Sequence, residues 1–155
     1  MGNMKENTKK RLIFYKVIFV IIAILTILVA ILMIFKYKQR QENEENNKEI
    51  LEELNNNEQQ ENADIKIDGI KVIGSIKIPK INLEYPILEE TTKNTMNLSI
   101  TKFCGGNIND YGNLALAGHN NRDGTMFGRT KELVISDEIE LTDLNKTTIT
   151  YSIVE

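Results

Sequence analysis

Cysteine, histidine and proline are almost missing from this chain of 155 residues, which has one Cys, one His and two Pro. The lone Cys104 excludes an internal disulfide framework, and one cysteine with one histidine offers too few ligands for a zinc site. Asp110, Asp123 and Asp137 are dispersed and form no dense calcium-binding loop. No metal and no cofactor is expected. Charge is unevenly absent too. Residues 1–40 hold eight Lys or Arg against one Glu, residues 41–64 hold nine acids against Lys48 alone, and the rest is close to neutral with ten bases and twelve acids. The formal net charge of −3 therefore hides three regions, and no basic face suited to nucleic acid remains once the first is explained by a membrane.

Val17 to Phe35 lacks charge altogether: nineteen residues with only Thr26 as a polar member. At 1.5 Å per residue such a helix reaches about 30 Å, the thickness of a bilayer's hydrocarbon core. The run predicts a transmembrane helix that engages membrane lipid. Lys5, Lys9, Lys10, Arg11 and Lys16 precede it, while Lys36, Lys38 and Arg40 follow, which favours a cytoplasmic N-terminus. A cleaved signal peptide would have a shorter apolar core and small residues after it, not Phe35-Lys36-Tyr37-Lys38. A buried core helix would show a polar face, which this run lacks.

Gln41 to Asp64 is rich in Glu, Asn and Gln. Ile50, Leu51 and Leu54 give one turn of apolar contact, but no heptad pattern continues through Asn55-Asn56-Asn57. The expectation is a solvated stalk, helical to about Leu54 and then disordered. From Ile70 the composition changes to short β-branched runs separated by turns. Gly74-Ser75-Ile76-Lys77-Ile78-Pro79 alternates apolar and polar residues until a proline stops it, and Pro86-Ile87-Leu88 follows a turn near Asn82. Thr92 is placed to cap a brief helix over Lys93 to Ser99, with Met96 and Ile100 on one side, and Thr125 to Leu133 suggests another. Glu138 to Thr142 and Thr147 to Val154 alternate again, the latter with Ile149, Tyr151 and Ile153 facing one way. About five short strands predict an all-β antiparallel sandwich or barrel. The chain thus divides into a cytoplasmic basic segment (1–16), a transmembrane anchor (17–35), a polar acidic stalk (36–69) and a small β domain (70–155).

The only histidine, His119, ends the stretch Gly112-Asn113-Leu114-Ala115-Leu116-Ala117-Gly118-His119-Asn120, which reads as a buried strand closed by a glycine turn. This stretch resembles the segment of sortases that delivers the catalytic histidine. Gly74 to Ile87 resembles the opening of the sortase domain, and Phe127, Leu133, Asp137-Glu138-Ile139-Glu140-Leu141 and Tyr151-Ser152-Ile153 follow in the family's order. The likeness covers residues 73 to 154, and the compactness of the region looks more like class D or A than class B.

The resemblance implies a membrane-anchored cysteine transpeptidase, mostly of Gram-positive bacteria, with an eight-stranded β-barrel outside the membrane. Its partners would be secreted surface proteins bearing a sorting motif such as Leu-Pro-X-Thr-Gly, and an amine acceptor of the cell wall or a pilin. His119 would be the catalytic general acid and base, work suited to an imidazole because its charge changes near neutral pH. The family's nucleophile lies in a later Thr-Leu-x-Thr-Cys segment, followed by an arginine for the oxyanion. Here nothing after His119 is a cysteine, and no arginine follows Arg129. Ser136 stands before Asp137, and Glu90 before Thr91, where the family often has glycine. The resemblance therefore implies a truncated barrel, and the 155 residues by themselves are expected to lack transpeptidation.

Cys104 lies fifteen positions before His119, where the family carries no thiol, and is expected to be a small, partly buried structural residue. Arg122 and Arg129 are expected to be solvated. Two non-enzymatic readings compete: an extracellular binding module, and an envelope or cell-division scaffold dependent on residues 41–64.

Overall fold

The computed structural model describes residues 2–56 and 65–154, with side chains from Arg11 onward. The side chains of Lys5, Lys9 and Lys10, and the whole of the acidic stretch 57–64, for which disorder was expected, lie outside that description. The described residues form two units, one ending at Glu42 and one beginning at Asn43.

Helix α1 runs from Gly2 to Asn56. Between Gly2 and Gly69 the sequence contains neither glycine nor proline, so nothing removes a ladder hydrogen bond or relaxes the backbone. Its apolar run from Val17 to Phe35 is exposed among the described residues except at half-buried Ala23, so they bury none of it as a core helix would be buried. Thr26 satisfies its hydroxyl within the helix, donating to the Ala23 carbonyl at 2.8 Å. By length and composition this is a helix able to cross a membrane.

The expected solvated stalk is corrected by the helix's last turns. Asn47 and Leu51 are 3% and 8% exposed. Ile50 and Leu54 pack on a small cluster of Ile65, Ile67, Val72 and Leu88. The helix also continues to Asn56, two residues beyond the expected limit. Burial of these side chains, worth about 1.5–3 kcal/mol each when complete, stabilises a helix whose polar composition alone would leave it marginal.

The second unit is a curled sheet of seven strands: β1 (Lys66–Ile67), β2 (Ile70–Ile78), β3 (Leu83–Leu88), β4 (Ile100–Gly105), β5 (Leu114–Ala117), β6 (Glu138–Asp143) and β7 (Thr148–Ser152). Their order is β5-β4-β3-β2-β6-β7, with β1 paired to β2. Pro79 ends β2 as expected and opens a 3₁₀ turn, after which Asn82 reverses the chain with φ 51°. Two expectations change. An all-β description fails because α1 alone spans 55 residues, and the sheet is not wholly antiparallel because β3 and β4 pair in parallel, Ile87 opposite Ile100. The helix expected over Lys93 to Ser99 shrinks to α2 (Thr95–Leu98), with Asn94 rather than Thr92 at the cap position. Thr92 still accepts the Thr95 N–H at 3.1 Å. The second expected helix is a 3₁₀ segment, Phe127–Glu132.

Period-two alternation puts Ile76 and Ile78 inside and Lys77 outside on β2. Ile76, Ile78, Ile81, Leu83, Tyr85, Ile87, Ile100 and Leu141 form the main core. One face of the curl stays open as a cavity of about 600 Å³, bordered by Ile76, Leu116, Phe127, Leu133, Ile139 and Tyr151 among others. The sheet is a half-barrel. β7 pairs only with β6 and is exposed at every residue, including Ile149 and Tyr151. β5, expected to be buried, is a half-buried edge strand.

Candidate active site

Antiparallel register decides what His119 meets. Thr101 of β4 sits opposite Ala117 of β5, and Cys104 opposite Ala115. Moving forward along β5 therefore means moving backward along β4. His119, two residues past β5, arrives beside the residues just before β4, which belong to α2. There the Asn97 Oδ1 lies 3.1 Å from the His119 Nε2. An amide oxygen can only accept, so in this pairing Nε2 is the donor. His119 is exposed.

The backbone after His119 folds back on itself. The Phe127 N–H donates to the His119 carbonyl at 2.9 Å, and Asn120 bridges Met126. Met126 holds φ 49°, an uncommon conformation for a side chain of its size, and its N–H donates to the Tyr85 hydroxyl at 3.1 Å. Tyr85 in turn donates to Glu44 Oε2 at 2.5 Å. Gly118 lies against the Phe127 ring and Ile100: a Cβ there would stand 3.0 Å and 3.3 Å from them. The turn before the histidine is therefore packed from below and hydrogen-bonded from above.

Burial, followed by the hydrogen bond to Glu44, pushes the Tyr85 phenol well above its ordinary range. Because the folded value is raised, the stability this group contributes is present up to about pH 10 and is lost as pH climbs further, since the unfolded chain releases its proton first. An alkaline titration followed by phenolate absorbance should show one tyrosine ionising only as the fold opens. Tyr85→Phe should abolish that delayed step, and a titration curve unchanged by the substitution would contradict the bond.

Cys104 does not join this site. The register puts it level with Ala115, four residues from His119, or roughly 13 Å at strand spacing. It is also exposed rather than partly buried, because it follows a β-bulge between Lys102 and Cys104 on the strand beside the sheet edge. Arg129, expected to be solvated, is a clamp. Its guanidinium grips Glu132 through two bonds of 3.0 Å and 2.8 Å and donates to the Ile81 carbonyl at 3.0 Å. The three aspartates make local turns: Asp110 accepts from Asn107, Asp123 from Thr125 and Asp137 from Val134. Asn97, Tyr85 and Glu44 carried no signal in the sequence. Each hydrogen bond in their chain to the histidine loop spans 22 to 41 residues, which no local periodicity reveals.

Comparison with known proteins bears on the family and the fold. A family model described as the Sortase domain matches residues 76–155. The chain is 32% identical over 92 residues to sortase A of Bacillus anthracis, covering 59% of this chain and 44% of the relative. It is 35% identical over 103 residues to sortase D of Bacillus subtilis, covering 65% and 50%. The chain thus spans about half the length of the relatives it matches. Among solved structures, sortase A of Listeria monocytogenes superposes with a TM-score of 0.50 at 29% identity, covering 54% of this chain and 58% of that one. A sortase E variant from Streptomyces avermitilis gives 0.50 at 28%, covering 55% and 58%.

Proposed function

Because the chain belongs to the sortase family, we propose that it supplies the histidine side of a membrane-anchored cysteine transpeptidase that acts on sorting-motif proteins. The observation that carries this reading is the sole histidine, solvent-accessible, held through Nε2 by Asn97 and through its carbonyl by Phe127. In that role a thiolate attacks the carbonyl carbon of the scissile peptide, and protonated His119 gives its proton to the departing amine. Neutral His119 then takes a proton from the incoming cell-wall or pilin amine, which attacks the thioester and releases the thiolate. Cys104 stands too far from His119 to be that thiolate, so the reaction needs a thiol these 155 residues do not place at the site. Residues 17–35 would hold the protein in lipid with the N-terminus cytoplasmic and the β unit outside.

The test joins this chain to the remaining half of a sortase domain, fused or added in trans, and follows cleavage of a Leu-Pro-X-Thr-Gly peptide. Cleavage should appear only in the combined protein, survive Cys104→Ser, and fall by roughly 100-fold or more in His119→Ala. Activity indifferent to His119→Ala would sink the enzymatic reading and leave a binding module. Cleavage by the 155 residues alone, abolished by Cys104→Ser, would show that the nucleophile is misassigned.

A further inference from the structure

One turn of α1 touches both supports of the histidine. Asn43 and Asn47, four apart and so on one helix face, donate through Nδ2 to the carbonyls of Asn97 and Leu98, each at 2.9 Å. Asn97 is the residue whose side chain accepts from His119. Glu44, between them, accepts from the Tyr85 hydroxyl, which accepts from the Met126 N–H beside the bond that closes Phe127 onto His119. Two separate routes therefore run from residues 43–47 to one imidazole, one ending on its ring and one on its backbone.

This pattern is more than helix docking. The apolar residues Ile50, Leu51 and Leu54 already seat the helix on the sheet a turn further on. Asn47 is almost wholly buried, and its Oδ1 has no partner among the described residues. A leucine would avoid the cost of that orphaned oxygen, but could not hold the Leu98 carbonyl. α2 is only four residues long, pinned at its start by Thr92 and just past its end by the Ser99 hydroxyl on the Pro86 carbonyl; Asn43 and Asn47 hold the carbonyls of Asn97 and Leu98 between those points.

We propose that Asn43, Glu44 and Asn47 are positioning residues for His119, with the α1 segment fixing the Asn97 side chain on one side of the ring and the Met126–Phe127 backbone on the other. The value of this for catalysis rests on the acid–base reading of His119, whereas the positioning itself does not. An imidazole hydrogen bond has one productive direction, and a helix that sets it ties the site's readiness to whether residues 43–47 are seated.

His119 is the only histidine, so ring-¹⁵N labelling of the full chain in detergent micelles yields one imidazole, observable without turnover. Asn97→Ala should shift the Nε2 resonance and change the ratio of the two neutral tautomers. Asn43→Ala, and Asn43→Ala with Asn47→Ala, should move the ring signals in that same direction, and Glu45→Ala on the exposed face should leave them at wild-type values. The fold is followed in parallel by tyrosine near-ultraviolet dichroism. If the double variant unfolds, Asn43→Ala decides, because its bond is exposed and expendable for folding. A wild-type ring spectrum in Asn43→Ala, or in Asn97→Ala, would overturn the proposal. Loss of the acid–base role would instead show as peptide cleavage indifferent to His119→Ala with these ring shifts intact.

Discussion

Gly74→Ala should unfold the β unit, or come close to it. Gly74 sits in β2 at a bulge with φ +149°, between Ile87 of β3 and Asp143 of β6. A Cβ there would lie 2.2 Å from the Thr142 carbonyl oxygen and 2.8 Å from Ile108 Cδ1. The first of these is backbone inside the sheet and cannot swing aside. Overpacking costs about 1–3 kcal/mol and enforced backbone strain a similar ~1–3 kcal/mol, so roughly 2–6 kcal/mol is at stake. A small domain has only about 5–15 kcal/mol in all. The chain contains no tryptophan, so the melt is best followed by tyrosine near-ultraviolet dichroism, with Lys77→Ala, an exposed neighbour on the same strand, as a control expected within about 0.5 kcal/mol. Wild-type stability in Gly74→Ala would mean that β2 and β6 do not approach as closely as described.

Gly128→Ala should lower activity more than it lowers stability. Its φ is ordinary; the constraint is space alone. A Cβ would meet the Asn121 carbonyl oxygen at 2.2 Å and its carbon at 3.2 Å. That carbonyl also receives the Gly124 N–H at 3.1 Å, so the whole turn from Asn121 to Gly128 must open by about 1 Å. Met126 in this turn is buried in the main core and Phe127 packs against it, while Ile76, Ile87 and Ile100 of that core lie on the strands. The melting temperature of the β unit should therefore fall, but by less than in Gly74→Ala, because no strand pairing is broken. His119, one hydrogen bond away through Phe127, should lose its alignment. A misplacement near 1 Å can cost about 100-fold in rate, which peptide cleavage by the completed site would register. Full activity in Gly128→Ala would show that the closing loop does not set the histidine.

Much of the sheet was legible because β2, β5 and β6 carry their own signals: alternation bounded by Pro79, a short apolar run ended by Gly118, and a clean Glu138-Ile139-Glu140-Leu141 period. β4 was not. Its apolar start at Ile100 reads equally well as the last face residue of the brief helix before it, and its outer half, Phe103 to Gly105, is exposed. What makes it a strand is the parallel pairing with β3 and the antiparallel pairing with β5, both long-range. Omitting β4 also hid the site, since the register of β4 against β5 is what delivers Asn97 to His119 and carries Cys104 away.

The acidic segment gave the opposite difficulty. Asn43, Asn47, Ile50, Leu51 and Leu54 lie on one helical face, but two of the five are asparagines, so a hydrophobic period cannot register. Their burial is visible only once the Asn97 and Leu98 carbonyls that bind them are in place.

The sequence by itself determined the long helix, the strands with an internal period, the sortase resemblance and the histidine at a strand's end. Each of these depends on residues within one turn or a few positions of each other, where backbone geometry sets the pattern. The tertiary structure alone decided that the helix end is docked rather than solvated, that Cys104 is remote from His119, and that Asn97 and Tyr85 hold the histidine's ring and loop. Those outcomes follow from strand register and from hydrogen bonds between residues 22 to 54 apart, which exist only after the chain has closed the distance.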